Sequence, residues 1–198
     1  MSTKKQYKML VIVDMQRDFI DGALPSKEAE VIVPGIINEI ENGDYDEVVF
    51  TADIHGKDYS KTQEGRLLPI PHCIEGTEGS RIDSGILGAA FSKYYASQLD
   101  YYTSPRIFQK NTFGSVNLGR YLDDRASMGS LRVTFVGTRT DICVISNVLL
   151  AKAYVPEAII EVIPDLCAGC RPELDKAALD VLTSCQVHFA QPSQKKGE

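Results

Sequence analysis

Two sets of residues in this chain have the types and spacing to do chemistry. The first is built on Cys143, in the stretch Val136-Gly137-Thr138-Arg139-Thr140-Asp141-Ile142-Cys143-Val144. A thiolate is the nucleophilic form of cysteine. It is favoured at the start of a helix, where free backbone N–H groups and the positive end of the helix dipole converge. Asp14 directly follows the apolar run Val11-Ile12-Val13. A carboxylate so placed is poorly solvated, and the raised pKa that results suits a general base. Lys110 follows a short apolar stretch and has the charge to stabilise a thiolate and an oxyanion. The second set is Asp53 and His55, two positions apart and therefore on one side of an extended chain, with Glu64 and His72 in the loop beyond. One carboxylate and two imidazoles, with a further oxygen ligand, suit Zn, Fe or Mn. Each residue has a plainer reading as well: a small core cysteine, an aspartate in a turn, a snorkelling lysine, surface histidines in a polar loop.

These side chains act together only if folding brings them together, and the element pattern does so. Apolar runs at 8–13, 47–52, 106–109, 131–136, 158–163 and 187–190 read as strands. Between them, helical character covers 28–40, 84–96, 116–123, 142–154 and 172–183. Pro34 should kink the first of these or break it in two. Residues 53–82 read as one long irregular loop, a length that usually signals function. The polar tail, 191–198, is expected to fray. Strands alternating with helices predict one three-layer α/β/α domain over 1–198, Rossmann-like, with a six-stranded, mostly parallel sheet. Ligands in such sheets bind outside the carboxyl ends of the strands. Asp14, Asp53, Lys110 and Cys143 all follow strand ends, and their agreement weighs more than any one of them.

Composition narrows the class. The chain has 198 residues, 43% of them hydrophobic, enough for one sizeable core. A net charge of −6 without a basic stripe argues against nucleic acid. No apolar run has the length of a membrane span. Five cysteines, an odd number in a chain this large, fit a reducing cytoplasm better than a disulfide framework. The Cys167-Ala168-Gly169-Cys170 spacing leaves open a redox or binding module instead. Core packing is the expected fate of Cys185 and His188. Tyr94-Tyr95 and Tyr101-Tyr102 are expected to serve packing or contacts in a homo-oligomer.

The motifs resemble a known family. Val13-Asp14-Met15-Gln16-Arg17-Asp18-Phe19 is similar to the amino-terminal signature of isochorismatase-like cysteine hydrolases. Gly137-Thr138-Arg139-Thr140-Asp141-Ile142-Cys143-Val144 resembles their nucleophile motif, and Lys110-Asn111-Thr112-Phe113 their lysine segment. Within that superfamily, Asp53-Ile54-His55 and Pro71-His72-Cys73-Ile74-Glu75-Gly76-Thr77-Glu78-Gly79 are similar to nicotinamidase elements. The resemblance implies a catalytic triad of Asp14, Lys110 and Cys143, with Lys110 lowering the Cys143 pKa. It implies a cis peptide at Thr138–Arg139 and an oxyanion hole from the Arg139 and Cys143 N–H groups. One divalent ion, zinc foremost, with iron or manganese as alternatives, would sit on Asp53, His55, Glu64 and His72. Phe19 and Phe113 would line the substrate pocket. The implied activity is hydrolysis of nicotinamide to nicotinate and ammonia, a step of pyridine nucleotide biosynthesis, by a cytoplasmic homo-oligomer acting on a small-molecule amide. The alternative is a related cysteine amidase acting on another small amide or ureide. Two departures bear on that choice. Pro69 stands where nicotinamidases usually carry a second stacking aromatic, in a chain without tryptophan, and Arg139 adds a charge where small or apolar residues are common.

Overall fold

The computed structural model describes residues 5–96 and 104–195. Strand β1 (Tyr7–Val13) is buried from Met9 to Val13, and successive side chains point to opposite faces. Met9, Val11 and Val13 enter one core, while Leu10 and Ile12 enter the other. That period of two demands cover on both faces. A short helix α1 (Arg17–Ile20) and the long α2 (Lys27–Asn42) follow. Helix α2 is capped by Ser26, whose hydroxyl accepts from the Ala29 N–H at 3.2 Å. Its buried Ala29, Ile32, Ile36 and Ile40 recur at helical spacing. Pro34 does not break it. The proline lies on the exposed side of one continuous helix, where water can serve the carbonyl left without an N–H.

Strand β2 (Glu47–Asp53) is buried throughout. The segment read as one irregular loop contains a 3-10 turn, Tyr59–Lys61, and a short helix α3 (Gln63–Leu67). Helix α4 (Ser84–Ala96) leads towards the edge strand β3 (Arg106–Lys110). Helix α5 (Val116–Met128) runs five residues past the predicted 123, to a glycine, Gly129, at its end. Then come β4 (Leu131–Thr138), a π-type turn over Thr140–Val144, and α6 (Ile145–Tyr154). Strand β5 (Ile159–Ala168), α7 (Pro172–Ser184) and a two-residue β6 (His188–Phe189) complete the chain. Strand β5 outruns the predicted 163 because, past a bulge, Cys167 and Ala168 pair with Gly137 and Thr138.

Every pairing among the described strands is parallel, in the order β3-β2-β1-β4-β5-β6. One face carries α5, α6 and α7, and the other α1, α2 and α4, giving three layers. The order reverses between β1 and β4, so connections leave those neighbours in opposite directions and open a crevice at their carboxyl ends. Close packing there needs Gly137, whose φ is +121° and whose Cβ, if present, would stand 2.2 Å from the Val13 carbonyl oxygen. The expected frayed tail is tied down where it is described. Ser193 N–H donates to Glu39 Oε2 at 2.6 Å, and Asn38 donates to the Ser193 carbonyl at 2.7 Å. His188 is exposed rather than in the core, because β6 is an edge strand. Tyr94 packs inward and donates to the Val48 carbonyl at 2.9 Å. Tyr101 and Tyr102 lie outside the described residues.

Candidate active site

Register sets the site. Val13 pairs with Thr51 and with Gly137, and Asp53 pairs with Lys110. The ends of β1, β2, β3 and β4 therefore lie side by side. Asp14 leaves β1 with φ +48°, a conformation uncommon for a residue with a Cβ. Lys110 is the last residue of β3 rather than the one after it. Beyond β4 the Thr138–Arg139 peptide is cis, at the expected bond. Cys143 sits in the π-type turn, in which the Arg139 carbonyl accepts from Val144 N–H at 3.0 Å and Ile142 N–H at 3.1 Å. The regular helix starts at Ile145, not at 142. Single-turn π segments recur at functional sites.

The three groups expected to work together do meet, all buried. Lys110 Nζ lies 2.6 Å from Asp14 Oδ2 and 3.7 Å from Cys143 Sγ. Thr51 Oγ1 donates to the other Asp14 oxygen at 2.6 Å. Burial pushes the Asp14 carboxyl up, Lys110 opposes that, and Asp53 adds to it, leaving it raised. Burial by itself would lower the Lys110 ammonium. Asp14, Cys143 and Asp53 outweigh it, so the lysine stays charged. At Cys143, Lys110 acts in the expected, lowering direction. Burial, and next the Asp14 carboxylate, hold its thiol well above the ordinary value, and Lys110 does not compensate. The thiol stands beside the Asp14–Lys110 pair, 3.7 Å from the Lys110 ammonium.

The second set also converges. One ligand atom each from Asp53, His55, Glu64 and His72 lie within 4.8 Å of one another. Asp53 Oδ2 is 2.9 Å from His55 Nε2 and 3.5 Å from His72 Nε2. Glu64 Oε1 is 3.7 Å from each imidazole. Ligands about 2.0–2.1 Å from a tetrahedral ion stand about 3.3 Å apart, so this donor set fits a divalent ion. His72 Nδ1 lies 2.8 Å from the Ile70 carbonyl, which can only accept, so Nδ1 carries a proton and Nε2 faces the other donors. Burial would raise Asp53, but its bonds to His55 and His72 and the charge of Lys110 hold it well below the usual carboxylate range. Lys110 Nζ is 3.8 Å from Asp53 Oδ1, which joins the two sets.

Between them lies a cavity of about 60 Å³. Cys143, Arg139 and Ile142 line it together with Asp53, Glu64 and His72, and Phe19, Leu24, Leu68 and Phe113 add apolar walls. Phe19 and Phe113 both line it. Pro69 is exposed and does not line the cavity, whereas its neighbour Leu68 does. Leu24, Leu68 and Ile142 carried no sequence signal, since an apolar residue reads as core until its neighbours are known. Tyr59 was also missed. It is buried against both imidazoles, with ring centroids 4.8 Å from His55 and 5.1 Å from His72, and burial pushes its phenol up to about 12. Thr51 was missed as well, because its bond to Asp14 follows from the Val13–Thr51 register of the sheet. Cys167 and Cys170 are free. Cys167 is part of β5 instead of following a strand, and burial raises its thiol to about 12. Cys170 is exposed.

The isochorismatase domain model matches residues 8–192. Solved structures with the same fold include a pyrazinamidase from Pyrococcus horikoshii in complex with zinc. It is 26% identical, with 93% of this chain and 98% of that one covered and a TM-score of 0.71. A nicotinamidase/pyrazinamidase from Bacillus subtilis is 27% identical, with 94% and 100% covered and a TM-score of 0.73. A pyrazinamidase/nicotinamidase from Streptococcus mutans is 26% identical, with 92% and 99% covered and a TM-score of 0.73. No curated protein sequence matches the chain significantly.

Proposed function

The chain belongs to the isochorismatase family, and from that premise we propose that it is a nicotinamidase, hydrolysing nicotinamide to nicotinate and ammonia. The observation that carries this reading is the cavity itself, which the Cys143 thiol lines together with Phe19 and three of the four grouped donors, Asp53, Glu64 and His72. At about 60 Å³ it has room for about four to six waters, which suits a single-ring amide. The zinc complex of the Pyrococcus relative supports zinc as the ion. Held by Asp53, His55, Glu64 and His72, such an ion would supply a Lewis-acid anchor for the ring nitrogen.

The chain's own residues do the chemistry. Asp14 takes the thiol proton as Sγ bonds to the amide carbon, and the amide oxygen gains negative charge. Backbone N–H groups of Arg139 and Cys143 donate to that oxygen. Asp14 then passes the proton to the nitrogen, the C–N bond breaks, and ammonia leaves a Cys143 thioester. A water attacks the thioester, Asp14 accepts its proton, and the proton returns to Sγ as the acid departs. Lys110 stays charged throughout and keeps Asp14 ionised before attack.

A second reading, another small amide or ureide, is favoured by Arg139, which brings a cation to the cavity wall, and by Leu68 in place of a second aromatic ring. Purified, zinc-loaded protein should release ammonia from nicotinamide, and Cys143→Ala should not. If wild type is inert on nicotinamide but hydrolyses an amide bearing an anionic group, the second reading replaces the first. The cellular setting proposed is the cytoplasm and the working form a homo-oligomer, the latter testable by light scattering. Among the described residues no helix is long and apolar enough to cross a membrane.

A further inference from the structure

The segment after β1 does more than supply Asp14. Gln16 is completely buried, and its side-chain amide is fully used. Its Oε1 accepts from the Asp53 N–H at 2.7 Å, and its Nε2 donates to the Asp53 carbonyl at 2.8 Å and the Ser80 carbonyl at 2.8 Å. The amide thus holds both backbone groups of Asp53, as a neighbouring strand would. Two residues on, Asp18 Oδ2 accepts from Cys73 N–H at 2.7 Å, and Oδ1 accepts from Ala23 N–H at 2.9 Å. That Cys73 N–H belongs to the His72–Cys73 peptide, and Cys73 has φ +46°. The Cys73 carbonyl in turn accepts from His55 N–H at 2.9 Å. The carboxylate of Asp18 fits only because Gly79 has no Cβ, which would stand 2.1 Å from it.

The geometry points to Gln16 and Asp18 as positioning residues that fix the backbone of Asp53, His55 and His72 before any ion arrives. The inference rests on the metal reading above. Neither side chain is in the ligand group. Each acts through main-chain atoms, so that three donors from two separate segments are set from a third. A preorganised donor set gives up little freedom on binding, and losing such outer support typically weakens metal affinity about 10–100-fold.

The test measures zinc dissociation constants by competition with a chromophoric chelator, on wild type, Gln16→Leu, Asp18→Ala and Asp18→Asn. Folding of each metal-free variant is checked by circular dichroism. The visible spectrum of the cobalt(II) form reports donor geometry independently of activity. Gln16→Leu and Asp18→Ala should bind zinc about 10–100-fold more weakly and show altered cobalt bands. Asp18→Asn, which keeps one acceptor, should fall between. Folded variants that bind zinc within about threefold of wild type, with unchanged cobalt spectra, overturn the inference while leaving the metal reading intact. If wild type itself takes up no zinc, both fail. Should Gln16→Leu not fold, the two Asp18 variants decide by the same criterion.

Discussion

Replacing Lys110 by methionine removes the charge and keeps most of the packing, which makes it the sharpest probe of the site. At the 2.6 Å separation from Asp14, an effective dielectric of about 20 gives a gross attraction of about 6 kcal/mol. Much of that offsets desolvation, and stripping one partner from a buried pair typically costs about 3–5 kcal/mol. Asp14 can escape part of this cost by taking up a proton. Its carboxyl is already raised by burial, with Lys110 opposing, so losing the lysine raises it further. A folded pKa above the unfolded one gives stability that is full below about pH 4 and is lost as pH rises through the folded value. The gap between wild type and variant in denaturant unfolding should therefore widen from pH 5 to pH 8. A protonated Asp14 cannot accept the thiol proton, so ammonia release should drop about 10²–10⁴-fold at neutral pH. A variant with wild-type stability at both pH values and a rate within about tenfold of wild type would refute the coupling of Lys110 to Asp14.

Three further outcomes are expected. Chelation of the bound metal should abolish activity and lower the thermal midpoint, since a ligand of the native state stabilises it by mass action; an unchanged midpoint after verified metal loss would count against a site on Asp53, His55, Glu64 and His72. Gly137→Ala should cost about 2–4 kcal/mol in urea unfolding, because the new methyl meets the Val13 carbonyl at a φ of +121°; a loss below about 1 kcal/mol would mean the strand ends separate easily. Iodoacetamide at pH 8 should label exposed Cys170 well before Cys167, whose thiol burial raises to about 12; equal labelling, or a reversible disulfide between them after mild oxidation, would revive a redox role.

Strand and helix identity was legible because it rests on local periodicity. The 84–96 helix was read to the residue, and β1 could be recognised from its unbroken apolar run. Boundaries failed where a distant partner decides them. Strand β5 extends to Ala168 because β4 offers it a pairing edge past a bulge, and α2 survives Pro34 because that turn faces water. The long loop hid a 3-10 turn and a helix whose small size leaves little periodicity to detect. In the site, Asp14, Lys110 and Cys143 were found by asking what lies at each strand's carboxyl end, a question with a chemical answer. Gln16 and Asp18 were overlooked as site residues, since their partners are backbone atoms many residues away.

By itself the sequence determined the element order, the two-sided burial of the strands, and which thiol, carboxylates and lysine stand near strand ends. These follow from side-chain chemistry and short-range spacing. The tertiary structure alone decided the strand order that opens the crevice, the π-type turn holding Cys143, and the walls formed by Leu24 and Leu68. It also decided that burial pushes the Cys143 thiol up. A protonation state depends on how completely the whole fold excludes water and which charges it brings within a few ångströms, and neither is a local property of the chain.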